Sequence, residues 1–102
     1  MDPEGVTMQA DRLSRSVTIV NLRGLHARAA AKFVVAAERF ATPVEVSRNG
    51  ETVSARSIMG LMMLGAGRGT TILLQADADG WDAQQALDAL ASLVESGFDE
   101  QE

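Results

Sequence analysis

The chain has no cysteine and a single histidine. Disulfides and thiolate metal sites are therefore excluded, and one imidazole cannot assemble the usual zinc constellation, so no metal is expected. No apolar run approaches the roughly 20 residues that a membrane-spanning helix needs. Met1–Ala10 carries two acids and a proline but no apolar stretch, which is not the pattern of a secretory leader. A cytoplasmic location is the resulting expectation, with no membrane partner. Repeats and low-complexity tracts are missing too. So is a basic excess: the formal net charge is −5, which argues against a nucleic-acid binder. What is present is 102 residues, enough for one core and not two, with 46% hydrophobic and 23% charged residues as in ordinary globular domains.

The acidic charge gathers at the two ends. Residues 1–12 carry a net −2 and residues 95–102 a net −4, which leaves the middle at +1. Within that middle, Arg23, Arg28, Lys32 and Arg39 surround the histidine, opposed locally only by Glu38. Such a patch suits an anionic ligand or an acidic protein surface. A merely solvated mixed surface is the alternative that charge alone leaves open.

Residues 1–13 are polar and without period and are read as a flexible extension. Ser16–Asn21 is β-branched and alternating, a strand pattern. From Ala27 to Ala41, Ala30, Phe33, Val34, Ala37 and Phe40 share one face at helical spacing, and Thr42-Pro43 is expected to end that helix. Val44–Ser47 and Glu51–Ser54 alternate around Asn49-Gly50, a hairpin signal. Ser57–Leu64 is a short apolar helix with a serine N-cap. Gly65–Gly69 is a loop; it lacks the strand before it and the Lys-Ser/Thr after it that a nucleotide loop requires. Thr70–Ala76 is a strand. Asp82–Ser96 is an amphipathic helix with Ala86, Leu87, Leu90, Leu93 and Val94 inward and Gly97 as its stop. The order β-α-β-β-α-β-α predicts an α+β fold, an open-faced sandwich with a four-stranded antiparallel sheet and three helices on one face.

His26 lies where the first strand gives way to the first helix, in Gly24-Leu25-His26-Ala27-Arg28-Ala29-Ala30. A helix start offers unpaired amides and a positive partial charge, which together favour a phosphoryl group. The same positive end disfavours imidazolium and keeps the ring nucleophilic. Gly24 permits a sharp turn before the histidine, and Arg28 adds a planar fork of donors suited to phosphate. Against this stands the plain alternative, a surface histidine at a helix start with no function.

That run resembles the active centre of the HPr family, the histidine phosphocarriers of bacterial phosphotransferase systems. A second block, Ser57-Ile58-Met59-Gly60-Leu61-Met62-Met63-Leu64-Gly65, matches in spacing. The resemblance spans about residues 14–98, taken as the domain, with residues 99–102 as an acidic tail. The ending Glu95-Ser96-Gly97-Phe98-Asp99-Glu100 is similar to the nitrogen-related, NPr-like branch. The resemblance implies that His26 takes a phosphoryl group at Nδ1 from phosphorylated Enzyme I and passes it to an EIIA-type protein. Arg28 and the amides of Ala27, Arg28 and Ala29 would hold the phosphate. The chain would be a carrier with a phosphohistidine intermediate rather than a stand-alone enzyme, without a cofactor and monomeric. The alternative is a regulatory protein whose contacts are switched by phosphorylation at His26 or Ser57 without onward transfer.

One departure is Ala29, where the family pattern has proline; alanine keeps the helix and adds a donor. Arg23 either adds positive potential beside the phosphate or faces solvent. Ser57 reads as an N-cap, and the resemblance adds a regulatory role as a target of HPr kinase/phosphorylase. Ile58, Met59, Leu61, Met62 and Met63 read first as core, yet at a period of 3.6 one or two must be exposed. The resemblance implies Ile58 and Met62, with Arg23, as the partner-facing residues.

Overall fold

A computed structural model describes residues 5–9 and 11–101. Its elements in order are β1 (Thr7–Gln9), β2 (Arg12–Thr18), α1 (Ala27–Ala37), β3 (Val44–Arg48), β4 (Glu51–Ser54), α2 (Ile58–Met63), β5 (Thr71–Asp77) and α3 (Ala83–Glu95), followed by a short 3-10 turn over Gly97–Asp99. The strands form one antiparallel sheet in the order β1-β2-β5-β3-β4. The expected four strands and three helices are there.

The short β1 adds a fifth strand at the edge, pairing Thr7 with Ser14 and Gln9 with Arg12. This redraws the extension placed over residues 1–13, because β2 already begins at Arg12. Its early residues are polar and alternate weakly, and their pairing opposite β5, Arg12 with Asp77 and Leu13 with Ala76, is a tertiary fact. Residues 1–4 and 10, part of that expected extension, lie outside the described residues. At its other end β2 stops at Thr18 rather than Asn21. Ile19 still exchanges bonds with the opposite chain, its N–H to Thr70 O and its carbonyl from Gly69 N–H, both at 2.8 Å.

One face of the sheet is apolar because strand periodicity puts alternate side chains on the same side. Val17, Val44, Val46, Ile72, Leu74 and Ala76 are buried there. Against them lie Ala29, Ala30, Phe33, Val34 and Ala37 of α1 and Ala83, Ala86, Leu87, Leu90, Ala91 and Val94 of α3. Small residues on both helices let the backbones approach the sheet and each other closely. Arg15 ties β2 to α3 through Asp88 at 2.9 Å.

α1 ends at Ala37, four residues before the expected boundary. The exit tightens through Arg39 N–H to Ala36 O and Phe40 N–H to Ala37 O, both at 3.2 Å. Beyond it the amides of Ala41 and Thr42 donate to the Asp82 carboxylate at 2.8 and 3.0 Å, and Thr42 Oγ1 donates as well at 2.5 Å. A remote acid, rather than Pro43, takes the donors that a longer helix would have used. The Thr42 hydroxyl bond, then the two amide bonds, hold the Asp82 carboxyl below its ordinary range, although its burial works the other way. Gly80 is needed here, since a Cβ would meet Thr42 Oγ1 at 2.2 Å. Beside this knot Trp81 stands 81% exposed.

The short α2 starts as its sequence predicts: Ser57 Oγ accepts from Gly60 N–H at 3.0 Å. Its far end is held by Arg48, whose guanidinium donates to Leu64 O at 2.8 Å and Gly65 O at 3.1 Å. Among the described residues no helix is long and apolar enough to cross a membrane.

Candidate functional site

The turn between β2 and α1 rests on a glycine and a buried asparagine. Gly24 has φ +64°, and a Cβ there would meet Ala66 O at 2.5 Å and Gly67 Cα at 2.8 Å. Only glycine satisfies both the left-handed backbone and the close approach. Asn21, 2% exposed, donates from Nδ2 to Gly24 O at 2.9 Å. Leu25 N–H donates to Ala66 O at 2.9 Å, which fastens the turn to the loop after α2.

The chain thus reaches His26 in extended backbone, φ −74° and ψ 178°, at the N-cap of α1. Ala30 N–H makes the bond to His26 O at 2.8 Å that opens the helix. The amides of Ala27, Arg28 and Ala29 come before it, and the His26 side chain does not cap them. They form the positive end of the helix. Arg28 is exposed, and so is Arg23 on the preceding turn. Ala29, in the place of the family's proline, has a fully buried side chain and joins the core.

The imidazole points elsewhere. Its Nε2 meets the carboxylate of Glu100, whose other oxygen accepts from Asn21 Nδ2 at 2.9 Å. The His26 side chain is 13% exposed and that of Glu100 15%, so a polar neighbour rather than apolar packing shelters the ring. Glu100 is brought there by Phe98, which is fully buried after the stop at Gly97. Phe98 and Asp99 both have φ +57°, and Lys32 Nζ donates to Phe98 O at 2.8 Å. The Asn21 bond above all, then His26 and Lys32, hold the Glu100 carboxyl below its ordinary range against partial desolvation. Glu100, which the sequence places in an acidic tail over residues 99–102, thus lies against His26 and Asn21; residue 102 is outside the described residues.

Around the ring opens a cavity of about 410 Å³ lined by Arg23, His26, Arg28, Lys32, Asp99 and Glu100. Three cations there face two acids and an imidazole. Sequence reading found His26, Arg23, Arg28 and Lys32 but assigned nothing to Asn21, Phe98 or Glu100. The signal for the last two was there, a large apolar residue directly after a glycine helix stop, which commonly folds back on the preceding helix.

On α2 the structure corrects the count of exposed apolar side chains. Leu61 alone is buried in the helix, whereas Ile58 (41%), Met59 (73%), Met62 (42%) and Met63 (71%) all face outward. The helix is only six residues long and rests one face on the domain, so one buried residue per turn suffices. Ser57 is half-buried and occupied as the N-cap.

A family model for the phosphotransferase HPr component phosphorylation site matches residues 13–96. The chain belongs to the HPr family. It is 51% identical over 90 residues to the phosphocarrier protein HPr of Cupriavidus necator, covering 88% of this chain and 99% of that one. It is 45% identical over 89 residues to the phosphocarrier protein NPr of Shewanella violacea, covering 87% and 96%. Among solved structures, HPr of Thermoanaerobacter tengcongensis superposes with a TM-score of 0.79 at 40% identity, covering 87% of this chain and 98% of that one. HPr of Bacillus anthracis follows at 0.76 and 41%, covering 84% and 99%. The chain is thus an HPr-type phosphocarrier of the phosphotransferase system, and its fold is the one those relatives have. Family membership implies phosphotransferase partners of the Enzyme I and EIIA kind.

Proposed function

We propose that His26 is the residue that carries the phosphoryl group, accepting it at Nδ1 from phosphorylated Enzyme I and donating it to an EIIA-type protein. The observation that carries this reading is the placement of the one imidazole at the N-cap of α1, in a cavity shared with Arg23, Arg28 and Lys32. Positioning and charge compensation are what phosphoryl transfer chiefly requires of a protein. The amides of Ala27, Arg28 and Ala29 and the Arg28 guanidinium would hold the phosphoryl oxygens. The lone pair attacks phosphorus, the donor's P–N bond breaks, and its electron pair returns to the donor ring. No cofactor enters the step.

We assign the chain to the nitrogen-type branch with a regulatory output. The Gly97-Phe98-Asp99-Glu100 ending and the similarity to an NPr protein support this. Arg23, Ile58 and Met62 form part of the docking face. All three are exposed, and the α2 exit is bonded to the His26 turn through Ala66. An adaptable methionine surface suits several partners in turn. Ser57 is a second phosphorylation site, addressed by an HPr kinase/phosphorylase where one is present. A phosphate there would add about −1.5 to −2 charge beside that face. The carrier works as a cytoplasmic monomer.

The test is incubation with phosphoenolpyruvate and Enzyme I, followed by intact mass, acid lability and transfer to EIIA. The parent gains one acid-labile phosphate and passes it on. His26→Ala gains none, and Arg28→Ala folds normally but labels about tenfold more slowly, the equivalent of one lost charge-assisted contact. Labelling without onward transfer would instead identify a phosphorylation-switched regulatory protein.

A further inference from the structure

We propose that Glu100 is a positioning residue for phosphoryl transfer. Its carboxylate holds the His26 ring with the proton on Nε2 and the lone pair on Nδ1, and it faces the positive charge that the ring acquires when Nδ1 bonds phosphorus. This inference rests on the carrier reading above.

The proton assignment follows from donor and acceptor chemistry. An ionised carboxylate only accepts, so the ring nitrogen that meets Glu100 must be the one bearing hydrogen. A neutral imidazole has one such nitrogen, which makes Nδ1 the nucleophilic atom. The carboxylate is itself fixed. Asn21, buried and bonded to Gly24 O, donates to its other oxygen at 2.9 Å. The segment that carries it is anchored by the buried Phe98 and by the Lys32 bond to Phe98 O. One asparagine therefore sets both the turn that delivers His26 and the acid that orients it.

The charge balance gives the carboxylate its second effect. When Nδ1 attacks, the Nε2 proton stays in place and the phosphorylated ring becomes cationic. No proton is released, and no further reactant is needed. In the onward step the same ring departs as neutral imidazole. A carboxylate against Nε2–H lowers the energy of the cationic ring, as the acid of a catalytic triad does for its histidine. The cationic phosphoimidazole is the labile, transferring form, and the carboxylate is an opposite charge in contact with it. The charged and titratable groups around the ring are Arg23 from the turn, Arg28 and Lys32 from α1, and Asp99 and Glu100 from the C-terminal segment. Of these, Glu100 is the one in contact with Nε2.

The experiment compares the parent, Glu100→Gln and Glu100→Asp. It measures phosphoryl uptake from phosphoenolpyruvate through Enzyme I and the half-life of the phosphorylated chain from about pH 6 to about pH 10, a range bracketing imidazole titration. Glu100→Gln keeps the shape and the Phe98 anchor. It should label about tenfold more slowly, as when the carboxylate behind a functional histidine is lost. Its lability profile should move down by about one pH unit. Glu100→Asp, which keeps the charge, should fall between the two. A folded Glu100→Gln chain with the parental rate and a superimposed pH profile overturns the inference and leaves the carrier reading intact. So does a Glu100→Asp chain slower than Glu100→Gln. A parent that takes up no acid-labile phosphate overturns the carrier reading and this inference together.

Discussion

Two carboxylates close the two ends of this domain by the same device, and they spend it differently. Asp82 accepts from Ala41 N–H, Thr42 N–H and the Thr42 hydroxyl, so every partner belongs to one connection. Glu100 accepts from Asn21 and His26, and one of those partners is an ionisable ring at a helix start. Each acid has a glycine nearby where a Cβ would collide, Gly80 against Thr42 and Gly24 against Ala66. The Asp82 bonds join one connection to the start of α3, so their effect is architectural. At the other end the same architecture terminates in a nucleophile.

Equivalent substitutions at the two ends should therefore separate stability from transfer. Gly24→Ala is expected to have the largest effect, about 2–4 kcal/mol of stability, because it combines a left-handed backbone with a collision against main chain. It should also slow phosphoryl uptake, since the turn that delivers His26 must shift. Chemical denaturation and a labelling assay on the same sample check both effects. Gly80→Ala should cost about 1–3 kcal/mol with uptake unchanged, because its collision is with a side chain at the far end. Loss of transfer in a folded Gly80→Ala chain would dissolve the contrast.

The acid limb of stability sharpens the comparison further. The Asp82 carboxyl is held below its ordinary range, chiefly by the Thr42 hydroxyl. Its contribution is complete above the unfolded carboxylate range near pH 4 and fades as pH falls through the lowered folded value. Asp82→Asn should lower stability at neutral pH and flatten its decline below pH 4, as read from denaturation midpoints across that interval. Ser57→Ala should have the smallest effect, about 1 kcal/mol from the lost N-cap of α2, with uptake unaffected.

How much of this was legible in the chain differs by element. Local rules located the Asn49-Gly50 hairpin, the Ser57 cap, the α3 stripe and the histidine at a helix start, because each depends on neighbours within a few residues. The early end of α1 was hidden, since its cause is Asp82, some 40 residues away in sequence. β1 was hidden because a run as short as Thr7–Gln9 forms a strand only when an edge is offered. The number of outward methionines was underestimated, because the period of α2 was visible but its shallow seat on the domain was not. Glu100 was missed for a related reason. Phe98 announces that the segment turns back, yet nothing local says that the following acid lands on an imidazole 74 residues earlier.

The molecule's single indole, Trp81, already stands in water next to the Asp82 knot. Its fluorescence is consequently a poor reporter of core disruption and a local reporter of the architectural end. Events at the imidazole would leave its emission undisturbed, so an optical signal for phosphorylation has to come from a probe placed on the opposite side of the fold.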